Sequence, residues 1–274
     1  MLTTLKSWIA ARPVAAYYAM TLAISWGYWM TLLVQGKRVG PGSEVSHFPG
    51  LLGPFLAAVI LTAYLNGWPG VRELFGRMTR WRTAWPWGLA VAMAPLPLAI
   101  LVMVALHFSG IPLPSWHDFQ VFPGLPAGLP LWAVVLLVFL VNGYGEEVGW
   151  RGFVMEKWLT RYGRFGTTVR VAALWIVWHI PLFRLSESMA ALVGPMLLGW
   201  ILALILGAFV LAHLYLFSGR SIFVLALWHA SYNMVVAPPG AAGVLAAAIS
   251  TVVMIWGAAL AWSWWNNRHQ DFSN

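Results

Sequence analysis

Apolar residues in this chain come in long runs rather than in alternation with polar ones. Eight runs can be marked: Val14 to Val34, Phe48 to Trp68, Trp85 to Phe108, Leu131 to Trp150, Val169 to Phe183, Leu192 to Phe217, Ser221 to Ala237 and Ala241 to Trp265. Most reach the roughly 20 residues that a helix needs to cross a hydrocarbon core of about 30 Å, and the fifth and seventh are shorter. Inside a bilayer every backbone N–H and C=O must be satisfied within the protein, and runs without period-two alternation do not suit barrel strands. The pattern therefore predicts an all-α fold, a polytopic transmembrane helical bundle of about eight helices. The first run follows Lys6 and Arg12 as a signal peptide would. It is too long for an h-region and no small-residue cleavage site follows, so it is read as a retained helix.

Composition agrees. Of 274 residues 61% are hydrophobic and 9% charged, and a mean hydropathy of +0.75 does not suit a soluble globule. The net charge of +8 raises the thought of a nucleic-acid partner, but the basic residues sort by side. With a cytoplasmic amino terminus, thirteen of the sixteen Lys and Arg fall on the cytoplasmic side, and only Lys37, Arg38 and Arg184 fall outside. The positive-inside rule then predicts both termini in the cytoplasm of a cell membrane. Tryptophans near span ends, such as Trp68, Trp85, Trp262, Trp264 and Trp265, fit an interfacial aromatic belt, so lipid is the expected partner and nucleic acid is not. The chain has no cysteine, which removes disulfides, thiolate zinc sites and cysteine nucleophiles.

Between the runs, two hydrophilic pieces stand out. VRELFGRMTRWR, Val71 to Arg82, spaces Val71, Leu74, Phe75 and Met78 by three and four, with Arg72, Arg77 and Arg80 largely elsewhere around the turn. It can lie in the headgroup region as an amphipathic helix, or be a plain topogenic loop. The loop from Ile111 to Pro130 carries five prolines, which argue against a continuous helix. No internal repeat divides the chain, so a single integral membrane domain over 1–274 is expected.

Six of the eight acids, Glu44, Glu73, Asp118, Glu156, Glu187 and Asp271, lie in loops or flanks. Glu146 and Glu147, in GEEVGWRGF, do not. An ionisable group within a span is costly and usually marks function. Glu147 and Arg151 are one helical turn apart and read as an ion pair. Glu146 projects about 100° away and needs another partner. His179 in the fifth run, with Trp175 one turn earlier, and His229 and Asn233 on one face of the seventh can supply it. At about 1.5 Å per residue, Glu146 lies roughly 8 Å, His229 roughly 12 Å and His179 roughly 15 Å from the cytoplasmic boundary. Such a set can hydrolyse: a carboxylate as general base and then acid, imidazoles to share that work, and an amide to donate to an oxyanion. Equally, Glu146, His179 and His229 would give Zn2+ an O,N,N ligand set with a position left for water. Spacing does not choose between these, nor between an enzyme and a proton-coupled transporter. His107 and His213 read as hydrogen bonders between helices.

Three pieces in order, EEVGWR at Glu146 to Arg151, WIVWH at Trp175 to His179 and HASYN at His229 to Asn233, resemble the motifs of the CPBP family. That family comprises type 2 CAAX prenyl proteases and bacteriocin-processing or Abi proteins. Its pattern is E-E-x-x-x-R, F-x-x-x-H and H-x-x-x-N or D on separate transmembrane helices. The resemblance covers 131–237, and 1–130 and 238–274 supply flanking helices. One position departs: Trp175 stands where the family has Phe, and is expected to keep the packing while reshaping the cavity wall. The resemblance implies an intramembrane endopeptidase acting on membrane-associated, lipidated or hydrophobic peptides at the cytoplasmic side, in a bacterial setting. It implies Glu146 as general base, His179 as the residue that positions water, His229 and Asn233 at the oxyanion, and Glu147 and Arg151 as organisers of the site. Many members are described as metalloproteases, with the first Glu and two His as ligands. Others serve as non-catalytic bacteriocin-immunity or scaffold proteins, which is the alternative reading here.

Overall fold

The structure, a computed structural model, describes residues 2–82 and 85–269; Asp271, read above as a flank residue, lies outside them. All eight apolar runs are helical. The principal helices are α1 (Leu2–Ala11), α2 (Pro13–Val34), α3 (Gly53–Met78), α4 (Pro95–Phe108), α5 (131–155), α6 (Glu156–Trp178), α7 (Pro195–Phe217), α8 (Ile222–Val236) and α9 (Val244–Asn266). Among the described residues four stretches are long and apolar enough to cross a membrane, namely Phe48–Met78, Leu131–Leu185, Pro195–Phe217 and Val244–Asn266, and Pro95–Phe108 and Ile222–Val236 are shorter apolar helices. The chain is an all-α, multi-pass membrane protein. Outward-facing Leu101, Leu198 and Ile255 are among its exposed residues, as expected of a bundle whose solvent is lipid.

Two glycines bend the bundle where the sequence leaves apolar ground. Gly67 in α3 has φ 65° and ψ −164°, and Gly163 in α6 has φ 64° and ψ −178°. Both lie in a region that only glycine occupies at little cost. After Gly67, with Pro69 opening the next turn, the Arg-rich stretch continues as helix to Met78. Val71 and Leu74 are buried as its spacing predicts, but Phe75 is exposed and Arg77 is buried. The reason is a polar partner: Arg77 donates to the Tyr215 hydroxyl at 2.8 Å and lies 3.8 Å from Glu156. The fifth run also differs from its expected span. Its helix resumes after Gly163 and ends at Trp178, so His179 caps the helix instead of sitting mid-span. Pro181, two residues on, cannot continue the ladder.

The two ends of the bundle gather different loops. At one, Arg220 pairs with Glu156 at 3.2 Å and Ser221 donates to the Arg80 carbonyl. At the other, Val39 donates to Leu185 O and Glu187 to Val39 O, Pro41 bridges Pro123, and Arg38 donates to Arg184 O. Loops expected on the same side of a membrane thus meet each other.

Tryptophan does more than mark the interface. Trp68, Trp85, Trp262 and Trp265 are exposed, whereas Trp264, read as part of the belt, is buried against Phe209. Trp29, Trp150 and Trp178 are wholly buried, and their indole nitrogens need acceptors there. Trp29 donates to His47 O at 2.9 Å and Trp178 to Ser25 Oγ at 2.8 Å. His213 crosses to α9 by ring contacts with Trp256 and Trp264, not by the hydrogen bond expected, and His107 is exposed at the end of α4.

Helix α5 reaches the centre of the bundle because small residues let neighbours in. A Cβ on Gly143 would lie 2.6 Å from the Ala226 carbonyl oxygen of α8, and one on Gly149 2.1 Å from the Tyr17 hydroxyl. Backbone cannot retreat cheaply, so Gly143→Ala is expected to destabilise the protein by about 1–3 kcal/mol. Gly207→Ala, with nothing within 4 Å, should be neutral or mildly stabilising. Thermal unfolding of the two variants in detergent checks this, and equal melting temperatures would contradict the close α5–α8 contact.

Candidate active site

The polar centre is built on α5, whose backbone is irregular on both sides of the two glutamates. Val138–Tyr144 is π-helical, Gly145–Gly149 is α-helical and Trp150–Met155 is π-helical again. Each π segment takes an extra residue into its turn, which rotates the side chains that follow relative to a regular helix. The α5 turn between them presents Glu146 and Glu147, 3% and 0% exposed.

Glu147 is fully partnered. Arg151 Nη1 donates to both of its oxygens at 3.0 Å, the expected one-turn ion pair. A second contact was not expected: His229 Nδ1 lies 2.8 Å from Glu147 Oε1. The sequence reading turned Glu146 toward His229, yet it is Glu147 that reaches α8 and ties it to α5. With Nδ1–H committed to a carboxylate, the His229 ring is held in one orientation.

Glu146 has one close partner and no ion pair among the described residues. Trp175 Nε1 donates to Glu146 Oε2 at 2.6 Å. Trp175 was expected only to pack; its indole N–H is the functional group that sequence reasoning passed over, although the departure from Phe was visible and indole is a donor. The Trp175 ring also lies under the Arg151 guanidinium, 4.8 Å from its centroid, and meets His229 edge-on at 5.8 Å. Arg151 Nη2 is buried without a hydrogen-bond partner among the described residues, so the cation–π contact supplies part of what that donor lacks.

His179 Nδ1 is 2.8 Å from the Trp175 carbonyl. A carbonyl only accepts, so Nδ1 carries the proton and Nε2 keeps its lone pair. Trp178 and Trp200 close on the same ring. Asn233 is one turn from His229 on α8 and half-buried, and its side chain makes no hydrogen bond among the described residues. Burial pushes the imidazole of His47, in the loop before α3, down to about 4.

A metal at this site would need free donors from these side chains. Among the described residues no three His, Asp or Glu side chains converge to hold one ion. The bonds on Glu146 Oε2, His179 Nδ1 and His229 Nδ1 leave Glu146 Oε1 and the Nε2 atoms of His179 and His229 as the donors that would hold a metal, each imidazole being oriented through its other nitrogen as ligating histidines commonly are.

Beside His179 runs an apolar groove of about 460 Å³, walled by Ile176, Ile180, Phe183, Leu197 and Trp200, with Arg184 at its rim. Arg184, which also lines it, accepts a hydrogen bond from Arg38 through its carbonyl.

Ionisable side chains drawn from separate membrane helices into one buried cluster define a membrane protein built around a polar site, not a passive bundle. Known proteins say which kind. Residues 127–235 match the model of the type II CAAX prenyl endopeptidase family, described as Rce1-like. The chain is similar to CAAX prenyl protease 2 of Methanococcus maripaludis, 23% identical over 180 residues that cover 63% of each protein. Over 127–235, less than half of the chain, it is thus similar to that family, in line with the three motifs. It matches somewhat less than two thirds of that relative's length.

Removing Arg151 would leave a buried carboxylate short of its main counter-charge. Arg151→Met is expected to cost about 3–5 kcal/mol of stability, against about 0–1 for Arg220→Met at its half-exposed pair. Thermal or denaturant unfolding in detergent checks the contrast, and a small loss at Arg151 would show that Glu147 does not depend on it.

Proposed function

We propose that this chain is an intramembrane endopeptidase that hydrolyses a peptide bond in a membrane-associated, lipidated or hydrophobic peptide. The observation that carries the reading is the unequal treatment of two adjacent buried carboxylates: Glu147 is saturated by Arg151 and His229, while Glu146 meets a single indole N–H. A carboxylate with acceptor capacity to spare, held out of bulk water, suits a general base. The family match and the name of the archaeal relative support a protease.

The steps use this chain's own residues. Water attacks the scissile carbonyl carbon, and Glu146 takes its proton, with His179 Nε2 as a second acceptor that orients the water. The carbonyl electrons move to oxygen. His229 Nε2 and the Asn233 amide are the donors for that oxyanion. With Nδ1–H on Glu147, the His229 Nε2 presents a proton only in the imidazolium form, for which Glu147 is the counter-ion. Collapse of the tetrahedral intermediate breaks the C–N bond, and Glu146 returns its proton to the leaving nitrogen, giving an acid and an amine. The groove beside His179 offers the apolar part of a substrate a wall of Ile176, Ile180, Phe183 and Trp200.

The test uses purified protein and a fluorogenic peptide ending in a farnesylated cysteine followed by three residues, with the unlipidated peptide alongside. Glu146→Gln is expected to lower cleavage at least about 100-fold, the upper part of the range for loss of a general base. Full cleavage by Glu146→Gln would overturn the assignment. Elemental analysis of the active enzyme and of His179→Ala decides the metal question: stoichiometric metal in the enzyme, lost in the variant, would replace the metal-free steps.

A further inference from the structure

We propose that Trp175 is a positioning residue for this hydrolysis: its indole N–H pins one oxygen of Glu146 and leaves the other as the acceptor for the attacking water. The inference rests on the reading of Glu146 as general base.

A glutamate reaches its carboxylate through three rotatable bonds and offers two equivalent oxygens, so a buried base with no fixed partner can present either one in several directions. Glu146 has no ion pair among the described residues to fix it. What it has is the Trp175 Nε1–H at 2.6 Å on Oε2, which in the ionised form that a general base needs is among the stronger hydrogen bonds. The indole is itself clamped. Arg151 covers its face, the His229 edge abuts it, and the residue is 7% exposed. A ring held on these sides transfers its fixity to the carboxylate.

The same residue holds the second acceptor for water. The Trp175 carbonyl takes the His179 Nδ1–H at 2.8 Å, so one residue sets both Glu146, through its side chain, and His179, through its backbone. The Phe of the family pattern keeps the ring but has no N–H to give. In this chain the indole adds a constraint on the base that the family's usual aromatic does not supply. Since misplacing a reacting group by about 1 Å can cost about 100-fold in rate, the constraint should act on kcat.

The decisive variant replaces Trp175 with β-(3-benzothienyl)alanine, which keeps the bicyclic shape and puts sulfur where the N–H stood; Trp175→Phe accompanies it. On the farnesylated probe, kcat is expected to fall about 10- to 100-fold, the range for a hydrogen bond to a charged group, with KM within about twofold because no substrate contact is lost. Melting temperature should hold for the benzothienyl protein. Adding Trp175→Phe to Glu146→Gln should bring no further loss, since the indole acts through that carboxylate. A benzothienyl enzyme with unchanged kcat, beside an inactive Glu146→Gln, overturns the positioning role alone. An active Glu146→Gln instead overturns the base assignment on which it rests. One measurement needs no turnover: in protein labelled with 15N at the indole nitrogens, the signal missing from Trp175→Phe is expected to move in Glu146→Gln. A signal that stays in place overturns the contact.

Discussion

The arrangement depends on a buried charge that must be neutralised. Taking a carboxylate out of water costs several kcal/mol even after relaxation, and only close, hydrogen-bonded counter-charge repays it. Glu147, with no exposed surface, obtains this from Arg151 one turn away and from His229 on another helix. The first contact is local and holds α5 to itself. The second is not: it joins α5 to α8 across 82 residues of sequence and thereby brings His229 beside Trp175. Arg151, drawn in as counter-ion, lays its guanidinium on the Trp175 ring, so α6 is registered by the same charge. Three helices are positioned by one carboxylate, and the neighbouring carboxylate inherits a site it did not have to build.

Close approach makes this contact affordable in geometry. Glycines at 143 and 149 let α5 touch α8 and the Tyr17 hydroxyl of α2 at distances no side chain would allow, and the two π segments set the rotation of the turn between them. Packing by small residues is how membrane helices associate when lipid is as apolar as their own side chains. The buried aromatic core of Tyr17, Trp29, Trp150 and Trp178 then fills the volume around that contact with edge-to-face or tilted rings; the Trp178 and Trp29 indoles bond Ser25 and the His47 carbonyl, while Trp150 Nε1 has no hydrogen-bond partner among the described residues.

Much of this was legible before any coordinates. Runs of apolar residues imply helices because a bilayer permits little else, and charged residues inside such runs stand out for the same reason; Glu146, Glu147 and Arg151 were found that way, and the one-turn spacing of Glu147 and Arg151 gave their pairing. That His229 and Asn233 share a face of α8 followed from period alone, whereas the Arg-rich segment read equally as helix or loop. What sequence did not yield was partner choice across helices. His229 met Glu147 rather than Glu146, and Arg77 turned inward to Tyr215 and Glu156, because a buried group bonds the nearest available opposite and that depends on helix rotation. The π segments, which reset the rotation of α5, leave no periodic trace in so short a stretch. The end of α6 at His179 was signalled by Pro181, a breaker outweighed by the apolar run around it. The Trp175 N–H was hidden by reading the residue as volume.

The end of α6 matters beyond its geometry. A histidine in the middle of a transmembrane helix is surrounded on all sides by other helices, whereas His179, at a helix end stopped by Pro181, packs edge-on against Trp200, which lines the groove with Ile176, Ile180 and Phe183. Its Nδ1 still finds the carbonyl one turn back, so the ring is fixed while its other nitrogen keeps its lone pair. Trp200 of the groove wall, His179, Trp175 and Glu146 are thus joined by successive contacts: ring to ring, imidazole to backbone carbonyl, and indole to carboxylate. The apolar wall and the buried carboxylate belong to one packed unit in which His179 and Trp175 are the intermediates.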